Sequence, residues 1–494
     1  MTDGQSNAKS QPMRIVYAAS EMAPYAKTGG LADVIASLPA ALAERGADIH
    51  TVLPLYRSVR EEGVLSGAQQ RSFSVLFRGE QHESRIHTIR LAQNNAVSFV
   101  ERDEFFDRAQ LYGPGGQGYL DNADRFIFFN RAVLSLCAQK QFSPQIIHCN
   151  DWQTGLIPVY LKNSPGKSMP APPLSVLTIH NLAYQGNFPA ETMGIAGLPL
   201  ELYTPQRMEF YGKMSFLKGG IIYADSLTTV SPTYAKEICT PEFGHGMDGV
   251  LRTRKKDMIG ILNGVDYSIW DPASDTHIAA PFNARDVRGK AVCRDELLNI
   301  FGLDASPKVP VVGMVSRLAE QKGFDIVLEA LPALMDLDIR MVVLGTGEPR
   351  IEKQLKILSR VYGKKMKVKT AYDNALAHKI EAGSDMFLMP SRYEPCGLNQ
   401  MYSLRYGTIP IVRATGGLED SVEAFSTRTG EGTGFKFKEY TAASLVRCVK
   451  KAADLYKNSG GWKTLMGNAM GMDFSWSRSA GAYLDLYEGM LRKV

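Results

Sequence analysis

Residues 385–420 read DMFLMPSRYEPCGLNQMYSLRYGTIPIVRATGGLED, a strand, loop, helix, strand and loop in one unbroken run. The apolar stretch 386–389 is short and stopped by Pro390, the pattern of a strand buried on both faces. Leu398, Met401 and Leu404 recur at helical spacing, and Gly407 closes that helix. The strand expected over 408–412 runs into Thr415, Gly416 and Gly417, a turn without side-chain bulk ahead of another helix start. Loops leaving the carboxyl ends of strands in an open parallel sheet line the ligand crevice, so Glu394 and the Gly416 amide are expected to face one site. Backbone N–H groups at a glycine turn and at a helix start both attract anions. A lone glycine pair serves a tight turn equally well, and only its surroundings can decide between the two readings.

Those surroundings belong to a chain of 494 residues, long enough for two or three domains with separate cores. A composition 45% hydrophobic and 22% charged is that of an ordinary globular protein, and a formal net charge of +5 is too mild to argue for nucleic acid as the main partner. The basic run 353–369 reads as a solvated helix face leading into a strand. Six cysteines without CxxC spacing imply neither a zinc site nor a disulfide framework, and a reducing compartment follows. The first twelve residues are polar with no apolar core, and no run of about 18 apolar residues occurs later. A disordered leader over 1–12, no membrane partner and a cytoplasmic location are expected.

Upstream, strands and helices alternate from Met13. A first strand is followed by a loop carrying Lys27, Thr28, Gly29 and Gly30, and then by an amphipathic helix ending on Gly46. Segment 72–100 alternates apolar and polar residues in short runs, which suggests an antiparallel insertion. A strand over 145–148 delivers Asn150, Asp151 and Trp152 to its carboxyl end, and the strand 174–179 delivers His180 and Asn181. Taken singly, Asp151 and His180 are as readily hydrogen-bonded structural groups as reactive ones, but both fall where crevice residues belong.

A second alternating series follows the turn Asn263, Gly264, Val265 and Asp266. The strand 309–315 ends in Ser316 and Arg317, and Lys322 and Gly323 open the next helix. Two cations beside a helix N-terminus oppose the macrodipole, which calls for an anionic ligand or for a carboxylate such as Glu320. Gly345, Thr346 and Gly347 fall short of a dinucleotide fingerprint because Arg350 stands where a third glycine is required. Asp336 and Asp338 lie between a helix and a strand start, the wrong end of the sheet for a metal site, and no metal ligand set is assigned. The fold class is α/β: two Rossmann-like doubly wound domains facing across a cleft, over 13–258 and 259–477, with an amphipathic segment 478–494 packing back on the first domain.

KTGGLADV at 27–34, HCNDWQTGLIP at 148–158, TIHNLAYQG at 178–186, NGVD at 263–266, SRLAEQKG at 316–323 and PSRYEPCGLNQMYSLRYGTIPIVRATGGLEDSV at 390–422 closely resemble the bacterial glycogen and plant starch synthases. The resemblance runs from Met13 to the DFSW segment and holds six motifs in the family's order. It implies a GT-B fold and a metal-independent enzyme without cofactor. That enzyme transfers glucose from ADP-glucose to the nonreducing-end 4-hydroxyl of glycogen or another α-1,4-glucan, with retention of configuration. By the same resemblance, Lys27, Gly29 and Gly30 approach the donor diphosphate and sugar, while Arg317 and Lys322 neutralise the departing ADP. Thr415, Gly416 and Gly417 grip the distal phosphate. Glu394 and His180 hold glucose hydroxyls, Asp151 lies near the reacting face, Asn263 faces the glucose, and Tyr372 stacks on adenine.

One position departs from the wider retaining superfamily, many of whose members carry a second glutamate eight residues after the first; here that residue is Tyr402. Without a carboxylate pair, the nucleophile-and-acid chemistry of retaining glycosidases has no footing, and a same-face internal return with ADP helping to deprotonate the acceptor is implied instead. Three other activities share the architecture: a pyridoxal-phosphate phosphorylase, a non-catalytic glucan-binding or regulatory protein, and a nucleotide-sugar epimerase.

Overall fold

The computed structural model describes residues 11–163, 172–304 and 306–493, so the leader expected over 1–12 lies outside the described residues apart from Gln11 and Pro12. The chain divides into two compact units, one made of Met1–Thr229, Ile238–Ile261 and Trp476–Val494, the other of Val230–Glu237 and Leu262–Ser475. The backbone therefore passes from one unit to the other four times.

In the first unit, strands β1 (Arg14–Ala18), β2 (Asp48–Pro54), β3 (Gln69–Phe77), β4 (Glu80–Ala92), β5 (Asn95–Glu101), β6 (Ile146–Asn150) and β7 (Leu174–Ile179) supply most of one sheet. Short strands β8 (Asn187–Phe188), β9 (Glu209–Phe210) and β10 (Lys213–Ser215) form a separate three-stranded patch, and β11 (Ser226–Thr229) and β12 (Met258–Gly260) complete the main sheet. Its order is β12-β11-β7-β6-β1-β2-β5-β4-β3. Pairing is parallel from β12 to β5, and β4 and β3 add an antiparallel edge, the insertion expected over 72–100. Every residue of β6 and β11 is buried, so neither strand shows the apolar–polar alternation of a half-exposed one. From β1 the chain turns one way to β2 and later the other way to β6, so the topological switch point lies between β1 and β6.

The C-terminal helix Trp476–Leu491 belongs to this unit and buries Trp476, Ala480, Tyr483 and Tyr487. The Tyr487 hydroxyl lies 2.6 Å from the Tyr17 hydroxyl on β1 and 2.6 Å from His148 Nδ1 on β6. His148 Nε2 in turn lies 2.5 Å from the Thr178 hydroxyl on β7. A polar seam thus locks the last helix onto three central strands, with each buried group partnered as burial demands.

The second unit is built on β13 (Val311–Val315), β14 (Arg340–Leu344), β15 (Met366–Lys369), β16 (Met386–Met389), β17 (Ile409–Arg413) and β18 (Phe435–Phe437), all parallel in the order β15-β14-β13-β16-β17-β18. Leu297, Val311, Val342, Ile380 and Phe387 pack into one core cluster. Each such side chain contributes roughly 1.5–3 kcal/mol by burial, so the strand ends are held on a rigid base. Here the switch point falls between β13 and β16.

The two units depart from the sequence expectation of 13–258 and 259–477 in three places. The first unit continues to Ile261, whose N–H donates to the Thr229 carbonyl at 2.8 Å and so extends the sheet edge beyond Gly260. Segment Val230–Glu237, expected in the first domain, belongs to the second unit. The Thr233 N–H and hydroxyl donate to the Asp420 carboxylate at 2.8 and 2.6 Å, a pairing 187 residues apart that no local pattern announces. The C-terminal return starts at Trp476, two residues before the expected 478.

Candidate active site

At the first unit's switch point, the loop after β1 folds around Glu21. Its carboxylate accepts from the Thr28 N–H at 2.6 Å, the Thr28 hydroxyl at 2.6 Å, the Gly29 N–H at 3.2 Å and the Tyr112 hydroxyl at 2.7 Å. Gly30 begins the helix Gly30–Glu44, and Lys27 is paired with Asp33 at 2.6 Å on its exposed side. The donors expected to meet a diphosphate are thus organised by a carboxylate of the same loop.

The end of β6 carries the other half of that switch point. Asp151 adopts φ +55°, a left-handed conformation that costs a non-glycine residue energy and that persists only where surroundings over-determine it. Its Oδ1 accepts from the His180 N–H at 2.7 Å, and the Asn181 N–H also donates to the carboxylate. Burial pushes the Asp151 carboxyl up to about 7, against the lowering pull of those two N–H donors. Burial also pushes His180 down to about 3, so its ring is neutral at physiological pH. Asn150 Oδ1 lies 2.9 Å from His180 Nε2.

In the second unit, the loops after β13 and β16 meet at the switch point. Lys322 Nζ donates to both oxygens of Glu394, at 2.9 and 2.6 Å, and the Ser391 hydroxyl donates to Glu394 Oε2 at 2.9 Å. Gly323 permits this approach: at φ +80° a Cβ would stand 2.1 Å from the Pro390 carbonyl oxygen. Lys322 is therefore neutralised by Glu394 rather than by Glu320, and the argument that its charge by itself demands a ligand does not stand. Arg317 is exposed, and among the described residues its side chain reaches only Gln321, with Nη2 3.2 Å from Oε1. Asn263 is buried, donates its backbone N–H to the Cys396 sulfur, and has an Oδ1 without a partner among the described residues. Tyr372 is 82% exposed on the loop after β15, its ring face open.

After β17 the glycine turn closes against the Glu394 loop. Gly416 sits at φ +46°, where a Cβ would come within 1.9 Å of the Glu394 carbonyl oxygen. Gly417 donates its N–H to that carbonyl at 3.1 Å and to the Pro395 carbonyl at 3.2 Å, so its amide is already committed. The Gly416 N–H and the Thr415 hydroxyl instead hold a carboxylate: Glu237 Oε1 lies 3.0 and 2.9 Å from them. Burial raises the Glu237 carboxyl, and the Gly416 N–H and Thr415 hydroxyl pull it back.

Two family models cover most of the chain, "Starch synthase catalytic domain" over residues 14–253 and "Glycosyl transferases group 1" over 298–460. A glycogen synthase of Koribacter versatilis is 48% identical over 478 residues, 96% of this chain and 98% of the relative. Glycogen synthase 2 of Geobacter sulfurreducens is 44% identical over 96% of this chain and 98% of the relative. The chain belongs to the glycogen and starch synthase family. The catalytic domain of starch synthase IV from Arabidopsis thaliana, solved with ADP and acarbose bound, shares 35% identity and a TM-score of 0.86, covering 97% of this chain and 100% of that one. Sucrose-phosphate synthase from Thermosynechococcus elongatus, 16% identical with a TM-score of 0.61, shares the fold alone. The fold of the family is GT-B, and this member is a glycosyltransferase of glycogen synthesis.

Within this glycosyltransferase the structure brings Asp151 to His180, Lys322 to Glu394, and Asn263 to the Cys396 end of the Glu394 loop. It gives Arg317 and Tyr372 no contact with those clusters among the described residues. Sequence reasoning placed Asn150 at its strand end without giving it a role, and missed Glu21, Glu237 and Ser391. Asn150 had a usable signal, standing beside Asp151 at the end of β6, and so had Ser391, which follows β16 three residues before Glu394. Glu237 had none, lying 179 residues from its partner.

Position 402, where the wider superfamily carries a second glutamate, is filled by a packing ring. The Tyr402 and Trp270 centroids are 4.0 Å apart with planes at 5°, and His378 stacks on Trp270 at 3.7 Å. Tyr402 is buried in the second unit's core, stacked on Trp270.

Proposed function

We propose that the protein lengthens glycogen in the cytoplasm by transferring glucose from ADP-glucose to the nonreducing-end 4-hydroxyl of an α-1,4-glucan with retention of configuration and without a metal ion. The observation that carries the reading is the Lys322–Glu394 pair at the second unit's switch point, beside Arg317. Charge develops on the β-phosphate oxygen of ADP as the glycosidic bond breaks, and preorganised cations are worth most where water is excluded. Lys322 is positioned by Glu394 before substrate arrives, and Arg317 is exposed and adds the second cation.

In the first unit, Lys27 and the Gly29 and Gly30 loop serve the donor phosphates, with Lys27 leaving Asp33 to do so. Neutral His180 and Glu394 hold sugar hydroxyls, Asn263 turns its unpartnered Oδ1 to the glucose, Thr415 and Gly416 take the distal phosphate, and Tyr372 stacks on adenine. Asp151 titrates near neutrality beside the reacting face. With Tyr402 stacked on Trp270, no second carboxylate stands at that position, which supports a same-face return in which ADP accepts the acceptor's proton.

The test is incorporation of radiolabelled glucose into glycogen by the purified protein from ADP-glucose and from UDP-glucose. Polymer labelling with a strong preference for ADP-glucose is expected. Equal or better labelling from UDP-glucose overturns the donor assignment, and glucan binding without ADP release overturns transfer itself.

A further inference from the structure

Asn150 occupies the last position of β6, 1% exposed, and both ends of its side-chain amide are committed. Nδ2 donates to the Ala18 carbonyl on the neighbouring β1 at 3.0 Å, with the His148 carbonyl at 3.4 Å. Two carbonyls on that side require the NH2 group there, so the oxygen is the atom that faces His180 Nε2 at 2.9 Å. An amide oxygen only accepts. The proton of the imidazole must therefore sit on Nε2.

The rest of His180 is fixed independently. Its backbone N–H is held by Asp151 Oδ1, and its ring is buried enough to stay neutral. A neutral imidazole with its proton on Nε2 keeps the lone pair on Nδ1, and Nδ1 has no hydrogen-bond partner among the described residues. An acceptor nitrogen suits one class of ligand group, a hydroxyl acting as donor. We propose that Asn150 is the positioning residue that fixes His180 in the Nε2–H tautomer and so presents Nδ1 to a hydroxyl of the transferred sugar, a reading that rests on the role proposed for His180.

The backbone at Asn150 is secured without its side chain. Its N–H donates to the Thr154 hydroxyl at 2.6 Å, which donates back to the Asn150 carbonyl at 2.9 Å, so substitutions leave the loop geometry a separate support. The titratable groups around the ring are Asp151 on the loop after β6, His148 on β6, and Glu21 after β1, which acts on Asp151. Among these His148 is neutral as well, pushed down to about 3 mainly by burial.

The experiment is nitrogen-15 NMR of the histidine side chains in the full-length protein between pH 6 and 8, with His180 assigned by its loss in His180→Gln. The wild-type protein is expected to show the Nε2–H tautomer. Asn150→Leu keeps the branched shape and removes the acceptor together with the donor to the Ala18 carbonyl. It should shift His180 toward Nδ1–H and lower turnover with ADP-glucose and glycogen roughly 10-fold or more, the worth of one hydrogen bond to a buried site. Asn150→Asp keeps the acceptor and adds charge. It should retain the Nε2–H tautomer. An Nδ1–H tautomer in the wild type, or an unchanged Nε2–H tautomer in Asn150→Leu, overturns the inference. A changed tautomer with undiminished turnover supports the hold of Asn150 on the ring and overturns instead the assignment of His180 to the reaction.

Discussion

Lys322 and Arg317 stand five positions apart, and both are cations beside the same helix mouth, yet the structure gives them different risks. Lys322 is largely buried and bonded to both oxygens of Glu394, whose side chain is 6% exposed. Replacing Lys322 by Gln leaves a buried carboxylate with the Ser391 hydroxyl as its remaining side-chain partner, and breaking such a pair costs about 3 kcal/mol or more. Arg317 has no ion pair among the described residues and is exposed. Arg317→Gln should therefore leave the denaturation midpoint within error while reducing turnover by about 3 kcal/mol of transition-state stabilisation, the scale of one lost preorganised donor. Lys322→Gln should lose both activity and stability. Denaturant unfolding and steady-state kinetics on the two variants check this, and normal turnover in Arg317→Gln would remove Arg317 from the leaving-group role. Sequence reasoning found both cations from their position after a strand. It did not find the partner of Lys322, because Glu394 lies 72 residues away and only the β13-β16 neighbour relation brings the two loops together.

At the level of elements, the strand ends were readable because central parallel strands leave unmistakable apolar runs, and every nominated loop does leave the carboxyl end of a strand. What occupies those loops was not readable. The Thr28 and Gly29 amides hold Glu21, and the Gly416 amide and Thr415 hydroxyl hold Glu237 from the short helix Pro232–Glu237. The anion preference of such turns shows itself in an internal carboxylate before any phosphate is considered. If the distal phosphate of the donor takes the Gly416 amide, Glu237 is its competitor. Glu237→Ala should lower the donor KM several-fold, and it should also cost roughly 1–2 kcal/mol of stability, because a buried N–H and hydroxyl lose their acceptor. Initial-rate measurements over a range of ADP-glucose, with thermal unfolding alongside, separate the two effects. A lower unfolding temperature with an unchanged KM would leave Glu237 a purely structural brace. Gly417, nominated with Gly416, illustrates the limit of motif reading: adjacent glycines of one turn differ in whether the amide faces a carbonyl or a carboxylate, and spacing carries no record of that.

For the whole molecule, the order of the chain and the order of the structure disagree. The first unit contains the amino-terminal sheet, but its helix Trp476–Leu491 is the last element of the chain, and Tyr487 on it completes the hydrogen-bonded seam through Tyr17, His148 and Thr178. Domains generally fold as units while the chain is being made, amino-terminal first. Here the unit begun first is finished last. A ribosome that has made everything up to Ser475 holds a second unit with all its strands and a first unit whose β1 and β6 still lack a cover. On stalled nascent chains, residues 262–475 are expected to resist limited proteolysis before residues 13–229 do, with protection of the latter arriving only when the terminal helix is free of the ribosome. Early protection of the amino-terminal sheet would show that the helix is dispensable to it. A nonsense codon between Trp476 and Tyr487 thus reaches back to the first strand of the amino-terminal unit, because it removes the hydroxyl that meets both Tyr17 and His148.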